Sequence, residues 1–188
     1  MRFTEPIHAG CSFSFSMPNA PLTFLFKDDG KVPNNPALPA LVYKAAVDFG
    51  GNDPARAIES LFAQNGWGHG QWRNGIYPFV HYHAMIHEVL GIARGKARVQ
   101  LGGPNGETFD FAAGDVAVLP AGTGHQRLSG SADLLVIGAY PPEGTYDLCR
   151  GDNPADRDKA LMTIPKVAVP QSDPVLGKNG PLAKLWRR

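Results

Sequence analysis

Residues 75–95 read GIYPFVHYHAMIHEVLGIARG, and this stretch contains three of the six histidines of the chain. If the backbone is extended at His81-Tyr82-His83, both imidazoles leave on the same face and can reach one ion. Glu88 lies five residues after His83, so strict alternation would send its carboxylate to the opposite face. Glu88 can therefore join the histidines only if residues 84–87 turn or bulge. If the strand continued without interruption, His87 would lie on the same face as His81 and His83 and would be the expected ligand instead.

A second stretch, residues 114–125, reads GDVAVLPAGTGH and adds a third imidazole. It predicts a short strand over Val116–Leu119, a turn through Pro120, Ala121 and Gly122, and His125 at the end of that turn. The third ring would therefore come from a separate strand.

The two stretches resemble the two motifs of the cupin superfamily. The first motif is Gly, five residues, His-x-His, three or four residues, Glu, six residues and Gly; here it runs from Gly75 to Gly95. The second is Gly, five residues, Pro-x-Gly, two residues, His, three residues and Asn; here it starts at Gly114 and has Ser129 in place of Asn, a position that does not bind metal. The flanking segments 72–78 and 146–151 also resemble an uncharacterised bacterial subgroup of single-barrel cupins.

The resemblance implies a mostly β fold, a double-stranded β-helix of the jelly-roll type, with one divalent transition metal ion. The implied metal ligands are His81, His83, Glu88 and His125. Nitrogen ligands with one carboxylate admit Fe, Mn, Ni, Cu or Zn. His87 is interpreted as a structural residue or as one that orients a ligand by hydrogen bonding. Residues near the motif ends are candidates for the cavity mouth: Tyr77, Arg73, Gln126, Tyr82 and Arg127. An arginine there would favour a substrate with a carboxylate.

Size and composition limit the function classes. A chain of 188 residues fits one domain, and 22 Gly with 17 Pro are typical of a β-rich fold with many turns. The formal net charge is +1, so no strong field recruits nucleic acid or anionic lipid. Cys11 and Cys149 stand far apart and are interpreted as thiols of a reducing compartment. No apolar run is long enough to predict a membrane span, so we expect a cytoplasmic protein.

The remaining pattern predicts three segments around the motifs. Residues 1–66 are expected to form an N-terminal addition with an arm or edge strand at residues 12–16, a strand at 22–26, and two amphipathic helices, at 36–49 and 53–66, packed outside the barrel. Residues 67–140 are expected to form the barrel, with a Gly-rich loop at 67–77 and strands at 88–92, 97–101, 108–111, 116–119 and 134–140. Residues 141–188 are expected to wrap irregularly, with one short helix at 156–162. Together they would form one structural domain.

Two classes of function fit these features. The complete ligand set favours a metalloenzyme that acts on a small polar molecule, with dioxygenase-like oxidation as the first hypothesis and Lewis-acid isomerisation as another. The alternative is a binding or sensory module that captures a small molecule without turnover, or a barrel whose histidines no longer bind metal. No helix-turn-helix pattern accompanies the barrel, which weakens the interpretation as a DNA-binding regulator. Single-barrel cupins are commonly dimers, so a homodimer is expected.

Overall fold

Two antiparallel β-sheets that share one hydrophobic core form the centre of the computed structural model, which describes residues 20–187. The strands, in chain order, are β1 Leu22–Phe24, β2 Ala40–Tyr43, β3 His69–Asn74, β4 His81–Tyr82, β5 Glu88–Arg94, β6 Lys96–Leu101, β7 Glu107–Ala112, β8 Val116–Leu119, β9 His125–Gly130, β10 Leu135–Tyr140 and β11 Cys149–Arg150. The larger sheet has the order β1-β2-β8-β5-β10-β3, and the smaller has the order β11-β4-β9-β6-β7. The predicted mostly β architecture is confirmed.

The space between the sheets is filled by alternate residues of facing strands. In β6, Ala97, Val99 and Leu101 are buried in this core while the residues between them are more exposed, as the alternation in the sequence predicts. From the larger sheet, Leu90 and Ile92 of β5 enter the same core. The interior of the barrel is therefore apolar at this end, and the polar residues gather elsewhere.

The outer face of the larger sheet is covered by helix α1, Pro54–Gln64. Asp53 caps the helix, because its side chain accepts a hydrogen bond from the Ala55 amide, and Pro54 occupies the first turn. Ile58 and Phe62 pack against the sheet, and the helix ends two residues before Gly66. A helix thus lies where the second of the two was predicted.

The helix predicted at residues 36–49 is wrong, because the chain forms strand β2 there, paired on one side with β1 and on the other with β8. All four residues of β2 are buried: Ala40 and Val42 face the core between the sheets, and Leu41 and Tyr43 face the outer cluster. A short apolar run buried on both faces looks the same in a helix and in a strand. Pro39 also disfavours helix at the residue before it.

The predicted N-terminal addition is not separate from the barrel, since β1 and β2 are hydrogen-bonded into the larger sheet. The expected Gly-rich loop at 67–77 likewise contains β3, which forms the other edge of that sheet. The arm predicted at residues 12–16 lies outside the described residues.

The C-terminal segment is more regular than predicted. Strand β11 pairs with β4, and helix α2, Pro154–Thr163, contains the predicted helix. A 3-10 turn, Ile164–Lys166, and a short helix α3, Leu182–Leu185, follow. Within residues 20–187, none of the helices has the length and apolar character needed to cross a bilayer.

Candidate metal centre

Three buried imidazoles converge at one end of the barrel. His81 lies on β4 and pairs in register with His125 on β9, while His83 follows β4 directly. Their ring centroids are 4.0 Å apart for His81 and His125, 5.9 Å for His81 and His83, and 5.8 Å for His83 and His125. One nitrogen from each ring can be chosen so that all three lie within 4.8 Å of one another. The three rings could therefore hold a metal ion.

Glu88 reaches the three imidazoles because the chain passes from the smaller sheet to the larger sheet between His83 and Glu88. Residues 83–87 leave the smaller sheet, and Glu88 begins β5 in the larger sheet. The carboxylate of Asp147 accepts hydrogen bonds from the amides of Ala84 and Met85, at 3.0 Å each, and so fixes this turn. Glu88 Oε2 lies 3.2 Å from His125 Nε2 and 3.5 Å from His83 Nε2. The turn at residues 84–87, which Glu88 needs in order to join the histidines, is therefore present.

The main chain orients all three rings. Nδ1 of His81 lies 3.1 Å from the carbonyl oxygen of Phe79, Nδ1 of His125 lies 3.1 Å from that of Thr123, and Nδ1 of His83 contacts that of Asp147. A carbonyl oxygen can only accept, so each Nδ1 carries the hydrogen. In each neutral ring, Nε2 then presents a lone pair, which is the tautomer that a metal ligand requires.

In this arrangement, no hydrogen-bond donor among residues 20–187 compensates the buried charge of Glu88 Oε2. Its Oε2 is buried and has no hydrogen-bond partner among residues 20–187. Neutral His83 and His125 cannot donate from Nε2, so the carboxylate would face only lone pairs. A buried carboxylate without a compensating partner is costly. The four side chains therefore fit a cation placed among them.

The pKa values of Glu88 and His83 in the metal-free site also reflect the need for a positive charge beside the carboxylate. Burial alone would raise the pKa of Glu88, but the charge of a protonated His83 and the contact with His125 outweigh burial and hold that pKa below its ordinary range. Burial would lower the pKa of His83, yet Glu88 and the Asp147 carbonyl reverse this and raise it. Both shifts show that the space between Glu88 and the rings favours a positive charge.

His81 behaves differently from His83. Burial lowers the pKa of His81 to about 3, and the neighbouring His125 adds to this effect. His81 therefore stays neutral at ordinary pH, with its Nε2 lone pair free for a metal ion.

His87 faces away from the centre. Its Nδ1 accepts a hydrogen bond of 2.9 Å from the Ala121 amide, and its Nε2 lies 3.1 Å from the carbonyl oxygen of Ala168. The ring packs on Trp186 with a centroid distance of 4.8 Å. His87 therefore joins the C-terminal segment to the turn before His125.

A cavity of about 560 Å³ opens beside the four side chains. Among the candidates for its mouth, Tyr77 and Arg73 line it. The guanidinium of Arg73, however, is paired through Nε and Nη2 with both carboxylate oxygens of Glu59, at 2.6 and 2.8 Å. The carboxylate of a bound ligand would have to compete with Glu59 for the Arg73 guanidinium.

The other candidates for the mouth lie elsewhere. Gln126 does not line the cavity, because its amide donates to Gln100 Oε1 at 2.9 Å on the smaller sheet. Arg127 also lies off the cavity, since its Nε donates to the carbonyl oxygen of Ile76 at 3.2 Å. Tyr82 points into an apolar cluster on the far side of the strand, as alternation with the histidines predicts.

Sequence reasoning missed Tyr140 and Tyr146. The Tyr146 ring lies 5.1 Å and the Tyr140 ring 6.0 Å from the His83 ring, by centroids, and both tyrosines line the cavity. A signal for Tyr140 is present in the strand pattern: Val136 faces the core between the sheets, so Tyr140, two alternations later, leaves on the same inner face. For Tyr146, which lies in a loop, no such signal exists.

No protein-family model matches the chain. The chain is 40% identical over 164 residues to the uncharacterized protein YjlB of Bacillus subtilis, covering 87% of this chain and 95% of YjlB. It is 30% identical over 100 residues to a probable oxalate decarboxylase of Arthroderma benhamiae, which is 49% of this chain but only 25% of that protein. Among solved structures, acireductone dioxygenase from Bacillus anthracis with a cadmium ion in its active center matches 56% of this chain and 80% of its own, with 16% identity and a TM-score of 0.37.

Proposed function

The chain belongs to the cupin superfamily, in one family with YjlB, and on that premise we propose that it is a metalloenzyme. We propose that His81, His83, Glu88 and His125 hold one divalent transition metal ion, and that a small molecule in the adjacent cavity is oxidised by dioxygen. The observation that carries the proposal is the buried Glu88 Oε2, which lies without a hydrogen-bond partner in the described part of the chain among three rings that present Nε2 lone pairs.

The donor set agrees with such an ion. Three imidazole nitrogens and one carboxylate oxygen suit Fe, Mn, Ni, Cu or Zn, and a donor set made of these four side chains contains no thiolate that would favour softer ions. When bound, the metal supplies Lewis-acid or redox chemistry to an oxygen atom of the substrate or of dioxygen. The carbonyls of Phe79, Thr123 and Asp147 keep the rings in the ligating tautomer before any ion arrives.

The cavity walls suggest how the substrate is held. Trp72, Tyr77, Tyr140 and Tyr146 supply aromatic surface, and Ile76 and Leu90 supply apolar surface close to the four polar side chains. Such walls bind an apolar or planar part of a ligand and exclude water from the centre, which strengthens electrostatic interactions there. The polar end of the substrate would then face the metal.

The first test is the metal content of the freshly purified protein by plasma-emission spectroscopy. We expect about one equivalent of a first-row metal in the wild type, because four preoriented ligands bind such ions tightly. The variant His83→Ala should lose at least tenfold in metal affinity. His69→Ala is the matched control, since His69 lies at the exposed end of the cavity and outside the convergent group, and it should keep its metal.

The nature of the metal and the oxygen uptake then test the reaction. Iron or copper together with oxygen consumption in the presence of a substrate would support oxidation. Zinc, with capture of a small molecule but no product by mass spectrometry, would favour a binding module instead. A wild-type protein that takes up no divalent metal at neutral pH would refute the proposal, as would a folded His83→Ala variant with full metal content.

A further inference from the structure

Two tyrosine rings are exposed to solvent at the cavity beside the candidate metal centre. Tyr77 is 45% exposed and Tyr146 is 53% exposed, and both line the cavity. The Tyr77 ring lies 5.1 Å from the His81 ring, and the Tyr146 ring lies 5.1 Å from the His83 ring, by centroids. Large aromatic side chains gain free energy when they are buried, so two exposed rings beside a cavity mark a place where a ligand completes the packing.

The loop that carries Tyr146 is fixed to the turn that connects the two sheets. The amide of Thr145 donates to the carbonyl oxygen of Met85 at 3.2 Å, and the carboxylate of Asp147 accepts from the amides of Ala84 and Met85 at 3.0 Å each. Tyr146 lies between these two anchored residues. Its backbone is therefore held on both sides, and its exposed ring keeps its place at the cavity.

The segment that carries Tyr77 is fixed to strand β9. The amide of Arg127 donates to the carbonyl oxygen of Tyr77 at 2.9 Å, and Nε of Arg127 donates to that of Ile76 at 3.2 Å. The Tyr77 ring stacks on Phe79, with centroids 4.9 Å apart and an angle of 18° between the planes, and the Arg150 guanidinium lies 4.4 Å from the centroid of Phe79. The Tyr77 ring thus has a defined position, although nearly half of the residue is exposed.

The charges of the cavity wall limit what the rest of the ligand can be. Among residues 20–187, Arg73 is the one lysine or arginine that lines the cavity, and its guanidinium is paired with both carboxylate oxygens of Glu59. Tight binding of a phosphate or of a second carboxylate relies on such a cation. The wall therefore favours a ligand whose part distant from the metal is uncharged.

We propose that the ligand of this cavity is a small aromatic compound without a second anionic group, that its oxygen-bearing end reaches the metal, and that its ring contacts Tyr77 and Tyr146. The inference rests on the proposed function, because the metal anchors the polar end of this ligand. It deepens that function by naming the substrate class and the two side chains that select it. A planar ring suits these tyrosines better than an aliphatic group of equal size, because aromatic rings attract one another in stacked or edge-to-face arrangements.

The test uses the Co(II)-loaded protein and probe molecules that share one metal-binding group, the hydroxamate. Benzohydroxamate carries an aromatic ring, cyclohexanecarbohydroxamate an aliphatic ring of similar size, and acetohydroxamate only a methyl group. The affinity of each is measured from the visible absorption of the cobalt ion. We expect the wild type to bind benzohydroxamate about tenfold more tightly than acetohydroxamate, and also more tightly than the cyclohexane probe. Benzohydroxamate with a carboxylate in the para position should bind more weakly, because Glu59 already occupies the Arg73 guanidinium.

Variants of the two tyrosines then locate the contact. In Tyr146→Ala we expect benzohydroxamate to bind about fivefold to thirtyfold more weakly, while the affinities for acetohydroxamate and for Co(II) stay close to those of the wild type. Tyr77→Ala should act in the same direction. Tyr146→Phe keeps the aromatic ring and should keep the preference for benzohydroxamate, which is a readout that a merely structural role would not move.

Leu148→Ala is the matched control. Leu148 is 41% exposed and lies two residues after Tyr146, but it does not line the cavity. Removing its side chain should change the affinity of no probe. Sedimentation of the wild type and of both alanine variants, Tyr146→Ala and Leu148→Ala, tests whether a second copy of the chain covers the exposed rings instead.

Each outcome has a distinct meaning. An equal loss for all probes in Tyr146→Ala would overturn the inference, as would equal affinities of the wild type for benzohydroxamate and the cyclohexane probe. A dimer that dissociates in both Tyr146→Ala and Leu148→Ala, with the preference for benzohydroxamate unchanged, would also overturn it. These results would leave the proposed function intact, whereas a wild-type protein that binds no Co(II) would overturn the proposed function together with the inference.

Discussion

At the scale of single residues, two histidines of the candidate metal centre have pKa values that are shifted in opposite directions. His81 is buried, and its pKa falls to about 3 because burial and the neighbouring His125 outweigh the charge of Glu88. His83 is equally buried but lies 3.5 Å from Glu88 Oε2, and its pKa rises above the ordinary value. The neighbour, and not burial, decides which ring competes with a metal ion by holding a proton.

We predict that metal occupancy falls as the pH is lowered through the raised pKa of His83. A raised pKa means that the proton is bound at higher pH, so the loss of metal should begin above pH 6.5, the ordinary value for an imidazole. Competition from His81 should start only near pH 3. Dialysis at stepwise lower pH followed by plasma-emission analysis measures this.

Glu88→Gln gives the complementary control for the pH dependence. Without the carboxylate charge, the pKa of His83 should fall, so the remaining metal affinity should become less sensitive to pH near neutrality. Metal binding that is independent of pH from 8 to 5 in the wild type would contradict the assigned role of His83.

At the scale of secondary structure, strands bounded by clear turn signals were predictable, whereas β2 and β3 were not. The alternation in β6 and the turn signals around β7 and β8 placed these strands within one or two residues. In β2, by contrast, inward and outward residues are all apolar, and the period that separates a helix from a strand is lost. Strand β3 contains a glycine and exposed polar residues, so its sequence resembles a loop.

The residues of the candidate site were predictable from the sequence, but the shape of the cavity beside them was not. The motif spacing identifies His81, His83, Glu88 and His125, and alternation correctly shows that residues 84–87 must turn. Much of the wall comes from β3, β10 and the loop at 144–146, which lie outside the two motifs. Their approach depends on strand order, which periodicity does not specify.

One close contact between elements gives a test of the packing. Helix α1 approaches β5 at Gly91, where a Cβ atom would lie 2.7 Å from Ile58 Cγ2 and 3.0 Å from Phe62 Cζ. Gly91→Ala should therefore lower the free energy of unfolding by about 1–3 kcal/mol, because both side chains are fully buried and cannot move aside. Gly75→Ala is the control, since a methyl group on that glycine would have no atom within 4 Å, and chemical denaturation should show little change. Equal stability of the two variants would argue against this packing.

At the scale of the whole molecule, the C-terminal segment closes the outer face of the larger sheet. Trp186 donates from Nε1 to the carbonyl oxygen of Pro39 at 2.8 Å, and Trp67 donates to that of Ser172 at 2.7 Å. Asp173 is fully buried and accepts hydrogen bonds from the Tyr43 hydroxyl and from the amides of Val175, Leu176 and Leu182. This one carboxylate joins β2 to the end of the chain.

We predict that Asp173→Ala destabilises the protein by several kcal/mol, because each buried donor left without an acceptor costs about 1–3 kcal/mol. The loss should be visible as a lower midpoint of thermal unfolding. Asp152→Ala, which removes an exposed carboxylate paired with Arg150, should have little effect. If the two variants unfold at the same temperature, Asp173 is not a central contact of the fold.

The carbonyls that aim the three imidazoles have a consequence for how such a protein can diversify. At positions 79 and 123 the contact is made by main-chain oxygen, so exchange of those side chains need not tilt the rings as long as the backbone path is kept. Much of the wall of the neighbouring cavity is supplied by other segments, among them β3, β10 and the loop at 144–146. Substitutions in those segments can therefore admit a different ligand while the three rings keep their orientation, so proteins with a common ancestor can acquire different chemistries around the same set of histidines.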